Sequence, residues 1–175
     1  MNLAKIYLDS NLIFDPSKIE NIKENETKAL EILADLKLKG EIEFYTSEKT
    51  KREMEKHKNV KKKGILKFYY SFIQNISEKN IIKSAIFNEI MFNEATFNGR
   101  VEDQLFTELK QIFDQDDAEH IFQAEKNNLD YFLTLDERTI LKRIEQNTSR
   151  FKELNLKIHI VSPTQLVQEL NIKKN

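Results

Sequence analysis

Four short apolar runs with strand-like composition alternate with longer stretches whose apolar residues recur at helical spacing. The runs cover residues 5–8, 42–46, 130–134 and 157–161. Strands that alternate with helices are typical of a parallel sheet with helices on both faces and right-handed crossovers. The chain holds only three glycines and two prolines, which argues against an all-β fold with many tight turns. The sequence therefore predicts an α/β fold with a central parallel sheet.

The length of the chain fits a single domain. Its 175 residues can bury a sizeable core, and no internal repeat or linker-like stretch divides them. We predict one domain over residues 1–175, with a helical elaboration over about 57–113. Helices are predicted for residues 16–39 with Gly40 as the stop, for a segment that Ser47 caps, for 77–92 with Ser77 as the cap, for 116–127, for 137–151 and from Pro163 onward.

Composition narrows the classes of function. The formal net charge of −1 provides no global field that recruits a polyanion, so any contact with nucleic acid must come from a local basic patch. The lack of cysteine excludes disulfides, thiolate metal sites and a cysteine nucleophile. No apolar run reaches the roughly 18 residues of a bilayer-spanning helix, and the first residues do not form a signal peptide. We expect a cytoplasmic protein without membrane contact.

Acidic residues stand where the predicted strands end or the predicted helices begin. These residues are Asp9, Glu53, Asp117 and Asp136. The carboxyl ends of parallel strands meet at one edge of the sheet, where open α/β sheets bind ligands. Carboxylates without thiolates favour a hard cation, Mg²⁺ or Mn²⁺. Three of these acids also have an ordinary alternative, because Asp9 and Asp136 could cap a turn or helix and Glu53 could be a solvated charge.

The acidic residues within 116–120 are predicted to have different roles, some structural and some in metal binding. Asp116 followed three residues later by Glu119 resembles a capping box, so we assign the structural role to Asp116 and the metal role to Asp117. His120 lies one residue beyond this pair. A histidine in that position is more often a packing or supporting residue, and we do not predict it as a base.

Other polar residues are predicted to support the acids. Ser47, Thr50 and Glu53 are three residues apart and would share one helix face, with Ser47 as the cap. Thr134, before Asp136, is predicted to hold a water or a phosphate oxygen. Asp130 precedes its strand and would lie at the opposite edge of the sheet, so it is predicted to be structural.

Two basic stretches flank the acidic residues. Lys49, Arg52 and Lys56 stand beside Glu53, further lysines follow over residues 58–67, and Arg138 opens a second stretch after Asp136. Such stretches can follow a phosphate backbone. For any single lysine a solvated helix face is the better interpretation, but the two stretches together favour a path for nucleic acid. No glycine-rich phosphate loop accompanies them, which argues against nucleotide triphosphate or dinucleotide chemistry.

In their order and spacing these motifs resemble those of the PIN-domain nucleases, over nearly the whole chain. The segments that carry the resemblance are Leu8-Asp9-Ser10-Asn11, Ser47-x-x-Thr50-x-x-Glu53, Asp117-Ala118-Glu119-His120-Ile121 followed by residues 130–136, and the closing residues 158–163. The chain is longer than a compact toxin of this family, with the excess mostly between Lys56 and Phe113. Some toxin relatives carry their fourth acid further on, where this chain has Thr139, so Asp136 would serve alone.

The resemblance implies a three-layer α/β/α sandwich and a Mg²⁺- or Mn²⁺-dependent endoribonuclease. The residues that match the family's acids, Asp9, Glu53, Asp117 and Asp136, would bind the metal, and Ser10, Asn11 and Thr134 would position those carboxylates or the waters of the ion. Many bacterial relatives are toxins of VapC type, held inactive by an antitoxin and often dimeric. RNA, an antitoxin and a second copy of the chain are therefore the expected partners.

Two other functions remain open at this point. A non-catalytic PIN-like module could bind RNA or a protein without turnover, and failure to bind Mn²⁺ would favour it. A metal-dependent phosphatase acting on small molecules would not need the basic stretches, and its activity would be insensitive to salt. Asp9-Ser10-Asn11 lacks the second Asp of an Asp-x-Asp nucleophile motif, which weakens the phosphatase alternative.

Overall fold

The computed structural model describes residues 3–14, 22–56, 70–71, 73–84 and 100–174. The strands in these residues are β1 (Ala4–Leu8), β2 (Ile42–Thr46), β3 (Gln74–Asn75), β4 (Ile82–Ser84), β5 (Arg100–Glu102), β6 (Tyr131–Leu133) and β7 (His159–Val161). The helices are α1 (Ser10–Phe14), α2 (Glu24–Leu38), α3 (Glu48–Glu55), α4 (Gln104–Leu109), α5 (Gln115–Lys126), a π-helical turn (Glu137–Leu141), α6 (Lys142–Gln146), α7 (Thr148–Glu153) and α8 (Pro163–Lys174).

The central sheet is fully parallel and has the spatial order β3-β2-β1-β6-β7. Strand β1 pairs with β2 on one side and with β6 on the other. From β1 the chain builds outward to β2 and β3, and it later returns to the other side of β1 to form β6 and β7. The order therefore reverses between β1 and β6, and such a switch point opens a crevice at the carboxyl edge of the sheet.

Alternating side chains on the strands bury two separate layers of core. On β1, Ile6 packs with α2 and α8 through Leu33 and Leu166, whereas Tyr7 faces α4 and α5. Strand β6 repeats the alternation, because Phe132 lies on the side of Tyr7. A strand with both faces covered by helices is typical of a parallel sheet. The predicted α/β fold with a central parallel sheet and helices on both faces is confirmed, in agreement with a three-layer sandwich.

Both strands that the sequence predicts before Lys56 are present in the structure. Strand β2 has the predicted bounds, and β1 begins one residue earlier than predicted. The predicted start of the long helix at residues 16–17 lies outside the described residues. Within them α2 runs from Glu24 to Leu38, and residues 22–23 are not helical, so the prediction is wrong at these two positions. Gly40 follows with φ +70°, a left-handed conformation that favours glycine, so the predicted helix stop is confirmed.

The prediction of a mostly helical segment from about 57 to 113 is wrong for much of its described part. Residues 74–75 add a fifth strand to the edge of the sheet, and 82–84 pair with 100–102 as an antiparallel ladder. Ser77 therefore caps no helix, since residues 76–80 run without regular structure into β4. The predicted helix over 137–151 is also interrupted, because Asn147 leaves helical geometry between α6 and α7 at φ −116°.

In the part of the chain that the structure describes, no helix is long and apolar enough to cross a membrane.

Candidate functional site

Polar and acidic side chains gather at the carboxyl edge of the sheet, around the switch point between β1 and β6. Asp9 directly follows β1, Thr134 and Asp136 follow β6, and Asp117 lies in the first turn of α5. Asp9 and Asp136 each raise the pKa of Asp117 through their charge, which shows that the three carboxylates lie within electrostatic range of one another. The structure therefore brings three of the four predicted acids together.

Asp9 is the most enclosed of these carboxylates. It is only 3% exposed, and its Oδ2 accepts hydrogen bonds from the Thr134 hydroxyl at 2.6 Å and from Nδ2 of Asn11 at 2.6 Å. Asn11 Nδ2 also donates to the Thr134 hydroxyl oxygen at 3.0 Å. Burial raises the pKa of Asp9, and the charge of Asp136 raises it further, while His120 and the bond from Thr134 act in the opposite direction. Asn11 and Thr134 thus hold the Asp9 carboxylate in place.

Asp117 carries a buried oxygen without a partner. Its backbone N–H donates to Asp114, which caps α5, but its Oδ2 has no hydrogen-bond partner in the structure. Burial raises the pKa of Asp117 to about 7, with further contributions from Asp114, Asp9 and Asp136. A buried acceptor without a partner costs free energy, so its presence calls for an explanation such as a cation that the site is built to hold.

Asp136 has a structural role in addition to any chemical one. Its Oδ1 accepts hydrogen bonds from the backbone N–H groups of Arg138 at 3.1 Å and Thr139 at 2.7 Å. It therefore caps the π-helical turn, which is the ordinary alternative that its position suggested. Its own N–H donates to the Thr134 hydroxyl oxygen at 3.0 Å, which links the cap to the Asp9 cluster.

Glu53, the fourth predicted acid, belongs to a hydrogen-bonded chain that reaches into the core. Its Oε1 lies 3.1 Å from Nε2 of His120, whose Nδ1 lies 2.7 Å from the Tyr7 hydroxyl. The Tyr7 hydroxyl is 2.7 Å from Oγ of Ser47. Burial alone would raise the pKa of Glu53, but His120, Lys49 and a hydrogen bond with Ser10 together bring it below its usual range. Glu53 is therefore held as a carboxylate.

Ser47 stands at the predicted N-cap position of α3, but its hydroxyl does not cap the helix. The residue has extended backbone dihedrals of φ −121° and ψ 166°, as an N-cap does, yet its side chain makes no capping bond. The hydroxyl bonds to Tyr7 instead. The sequence pattern placed the residue correctly and assigned its hydrogen bond wrongly, because the competing partner is 40 residues away.

Lys49 lies inside an ion-pair network and not on a substrate-facing surface. Its Nζ is 2.7 Å from Asp116 Oδ1, 2.9 Å from Glu119 Oε2 and 3.7 Å from Glu53 Oε1. The residue is only 7% exposed. The capping box predicted for Asp116 and Glu119 is wrong, since Asp114 caps α5 and both acids pair with Lys49. This placement argues against direct contact between Lys49 and a phosphate.

The other predicted substrate-binding residues differ in whether they form ion pairs. Arg52 is exposed but donates to both carboxylate oxygens of Glu78 and to Glu119. Lys56 and Arg138 are exposed, and among the described residues neither forms an ion pair. The lysines predicted over residues 58–67 lie outside the described residues. The two basic stretches therefore differ, because the basic side chains of α3 form ion pairs with acids.

An apolar pocket lies on the face of the sheet that packs against α2. It has a volume of about 300 Å³, and its walls include Leu8 and Leu12 next to Asp9, Leu30 and Leu33 of α2, and Leu135. None of the four predicted acids lines it. The pocket is thus a neighbour of the acidic cluster and not the cluster itself.

The donor set fits a hard divalent cation in part. Among residues 3–14, 22–56, 70–71, 73–84 and 100–174, no three acidic or histidine side chains are placed to hold one ion directly. Mg²⁺ commonly takes only one or two carboxylates and keeps several waters. The unpartnered Oδ2 of Asp117, beside the carboxylates of Asp9 and Asp136, is the observation that such an ion would explain.

Comparison with family models, with curated proteins and with solved structures finds no match for this chain.

Proposed function

We propose that this chain is a Mg²⁺- or Mn²⁺-dependent endoribonuclease of the PIN-domain type. The proposal is supported by the order of the four acidic motifs in the sequence and by the electrostatic coupling of three of their acids, Asp9, Asp117 and Asp136. The observation that carries it is Asp117, whose buried Oδ2 has no partner and whose pKa is raised to about 7 by burial and by neighbouring carboxylates. Clusters of this kind are more common at functional sites than elsewhere in proteins.

The acids have separate tasks in this proposal. Asp9 and Asp117 would hold the ion, with Glu53 and Asp136 holding it directly or through its waters. When bound, such an ion supplies a nucleophile from water near neutral pH and neutralises charge that develops on the phosphodiester. The oxygen of water would bond to phosphorus while the bond between phosphorus and the 3′ oxygen breaks, and a proton from the water would pass to that 3′ oxygen, directly or through solvent. The resemblance implies 5′-phosphate and 3′-hydroxyl ends.

The remaining polar residues orient the acids. Asn11 and Thr134 fix the Asp9 carboxylate through its Oδ2. His120 and Ser10 do the same for Glu53. Because these donors are themselves buried or hydrogen-bonded, the carboxylates are held with little freedom, and a site of this kind needs little reorganisation to bind a ligand.

The proposal is tested by cleavage of a pool of single-stranded and structured RNA in Mn²⁺ or Mg²⁺. Wild-type protein should cut the pool, EDTA should stop the reaction, and Asp117→Asn should lower the rate by at least about a hundredfold, as expected for loss of a group that holds a catalytic ion. Asp9→Asn should behave alike. Full activity of either variant would contradict the proposal.

Asp130→Asn is the matched control for these substitutions. Asp130 accepts a hydrogen bond from the Lys5 backbone N–H at 2.8 Å and lies at the amino end of β6, across the sheet from Asp136. The substitution removes one negative charge and keeps an acceptor oxygen. It should leave the cleavage rate within about twofold of wild type, so a general effect of charge loss would be recognised.

A second candidate is a PIN-like module that binds RNA without cleaving it. The observation in its favour is that no three candidate ligands are placed to hold one ion directly in the described parts of the chain. The two functions separate in one experiment, because a module should retain RNA with equal affinity in EDTA and in Mn²⁺. Metal-dependent release of shortened RNA would exclude the module.

The role as toxin of a toxin–antitoxin pair is a narrower proposal that depends on the resemblance. If it holds, expression of the wild-type chain should arrest bacterial growth and expression of Asp9→Asn should not. An antitoxin or a second copy of the chain as partner is part of the same proposal. Growth unaffected by an active ribonuclease would contradict the toxin role while leaving the enzyme in place.

A further inference from the structure

A chain of buried side chains connects Glu53 to the interior of the protein. Ser47, Tyr7 and His120 are 0%, 0% and 2% exposed, and they follow one another at distances of 2.7 Å and 2.7 Å. His120 then reaches Glu53 at 3.1 Å. Tyr7 and His120 are 113 residues apart, so the chain ties β1 and α3 to α5. Buried polar networks of this kind are sensitive to the loss of any member.

In the neutral form of His120, the chemistry of the groups fixes the direction of the hydrogen bonds. A carboxylate can only accept, so Nε2 of His120 must carry the hydrogen that points to Glu53. In the neutral imidazole the other nitrogen then accepts, so the Tyr7 hydroxyl donates to Nδ1. The Tyr7 oxygen is left to accept from Ser47. Every hydrogen in the chain is thus directed from Ser47 toward Glu53.

Packing holds the Tyr7 ring in place, and so fixes the position of the hydroxyl that donates this hydrogen bond. It stacks on Phe132 with ring centroids 5.3 Å apart and an interplanar angle of 10°. Burial raises the pKa of Tyr7, so the hydroxyl stays protonated and remains a donor. Both the position and the hydrogen of this group are therefore fixed before any ligand arrives.

We propose that Tyr7 is a positioning residue that holds His120 as the Nε2–H tautomer and thereby directs the Glu53 carboxylate to the ion site. The part of this inference that concerns Glu53 and the ion rests on the proposed function. The part that concerns the His120 tautomer does not. Tyr7 touches neither substrate nor ion and acts only through His120. Partners that orient a residue near a metal commonly change its affinity by 10- to 100-fold when they are removed.

The first test reads the tautomer in the full-length protein without metal. Uniformly ¹⁵N-labelled wild type in EDTA at pH 8 is recorded with long-range ¹H–¹⁵N correlation, and the substitutions His57→Gln and His159→Gln assign the three imidazoles. His120 should show a protonated Nε2 and an unprotonated Nδ1. A protonated Nδ1, alone or together with Nε2, would overturn the proposal. This measurement requires no change at Tyr7.

The second test removes the hydroxyl alone. Tyr7→Phe keeps the stacked ring, and Tyr45→Phe is the matched control, because Tyr45 is the register partner of Tyr7 on β2 and its hydroxyl donates to the nearby Glu43. In Tyr7→Phe the His120 signals should shift toward a mixture of tautomers, Mn²⁺ affinity should fall about tenfold and kcat should fall with KM nearly unchanged. Tyr45→Phe should change none of these.

The outcomes separate the two claims. If Tyr7→Phe leaves the His120 tautomer and the Mn²⁺ affinity at wild-type values, the positioning role is wrong. If wild type binds no Mn²⁺ while its His120 is the Nε2–H tautomer and Tyr7→Phe disturbs it, the proposed function is wrong and the role of Tyr7 toward His120 stands.

Discussion

The hydroxyl of Thr134 donates to Oδ2 of Asp9 over 2.6 Å, although the two residues are 125 positions apart in the chain. This bond joins the ends of β1 and β6 across the switch point of the sheet. The same hydroxyl oxygen accepts from Asn11 and from the backbone N–H of Asp136. Thr134 is therefore the common partner of three neighbouring residues, and its hydroxyl has one donor bond and two acceptor bonds.

Replacing Thr134 by valine should destabilise the protein by about 1–3 kcal/mol, because the substitution keeps the side-chain shape and leaves Asp9 with one donor fewer. The pKa of Asp9, which burial already raises, should rise further. Urea unfolding at pH 7 measures the first effect. Thr27→Val serves as control, since Thr27 is exposed and its hydroxyl makes one long bond of 3.4 Å. Equal unfolding midpoints for the two variants would contradict the role of Thr134.

The raised pKa of Asp117 predicts an unusual dependence of stability on pH in the metal-free protein. Its folded-state pKa of about 7 lies above the ordinary value of 3.8, so the folded protein binds a proton that the unfolded chain has lost between these values. The stability that this proton contributes is complete below pH 4 and is lost as the pH rises through about 7. Asp117→Asn removes that dependence.

The expected result is that Asp117→Asn equals wild type near pH 4 and exceeds it at pH 8. Because the side chain is only partly buried, the gain at pH 8 should be roughly 1–2 kcal/mol, less than the full pKa shift would give. Urea unfolding in EDTA across this range measures it. A variant less stable than wild type at pH 8 would mean that the Asp117 carboxylate is satisfied in the folded protein.

Lys49 should contribute more to stability than any exposed lysine on the same helix. Replacement by methionine keeps the aliphatic stem and removes an ammonium that pairs with Asp116 and Glu119, so Asp116 loses this ion pair and Glu119 keeps only its pair with Arg52. We expect a loss of about 2–4 kcal/mol. Lys51→Met is the control, because its pair with Glu48 is exposed and should be worth less than about 1 kcal/mol. Similar losses in the two variants, measured by thermal or urea unfolding, would show that the Lys49 network adds nothing.

If RNA follows the flank of Asp136, Arg138 should bind phosphate and Arg52 should not. Arg138 is exposed without an ion pair among the described residues, whereas Arg52 is held by Glu78 and Glu119. Arg138→Gln should weaken RNA binding and reduce the slope of log affinity against log salt by about 1. Fluorescence anisotropy in EDTA measures both. An equal loss in Arg52→Gln would place RNA along α3 as well.

Local patterns in the sequence predict the elements that local forces determine. Strand β2, the glycine stop after α2 and the proline start of α8 are all marked by neighbouring residues. Asp9 was predicted as a crevice residue because it ends an apolar strand. These features depend on backbone propensity and on burial pattern, and both can be read within a few residues.

Features with distant partners were predicted wrongly or not at all. The capping box at Asp116 was incorrect because Lys49, 67 residues away, binds that carboxylate, and Ser47 gives its hydroxyl to Tyr7. The two-residue strand β3 has no pattern of its own, since its place in the sheet comes from backbone bonds to β2. No local signal could have indicated that His120 joins Tyr7 to Glu53.

Titration of Mn²⁺ into the metal-free protein, followed by calorimetry, tests the central claim most directly. The account predicts binding at the acidic cluster in wild type and in Asp130→Asn, and a loss of affinity of at least tenfold in Asp117→Asn and Asp9→Asn. Equal binding by all four proteins would place the ion elsewhere. Absence of binding by wild type would contradict a metal centre at this edge of the sheet.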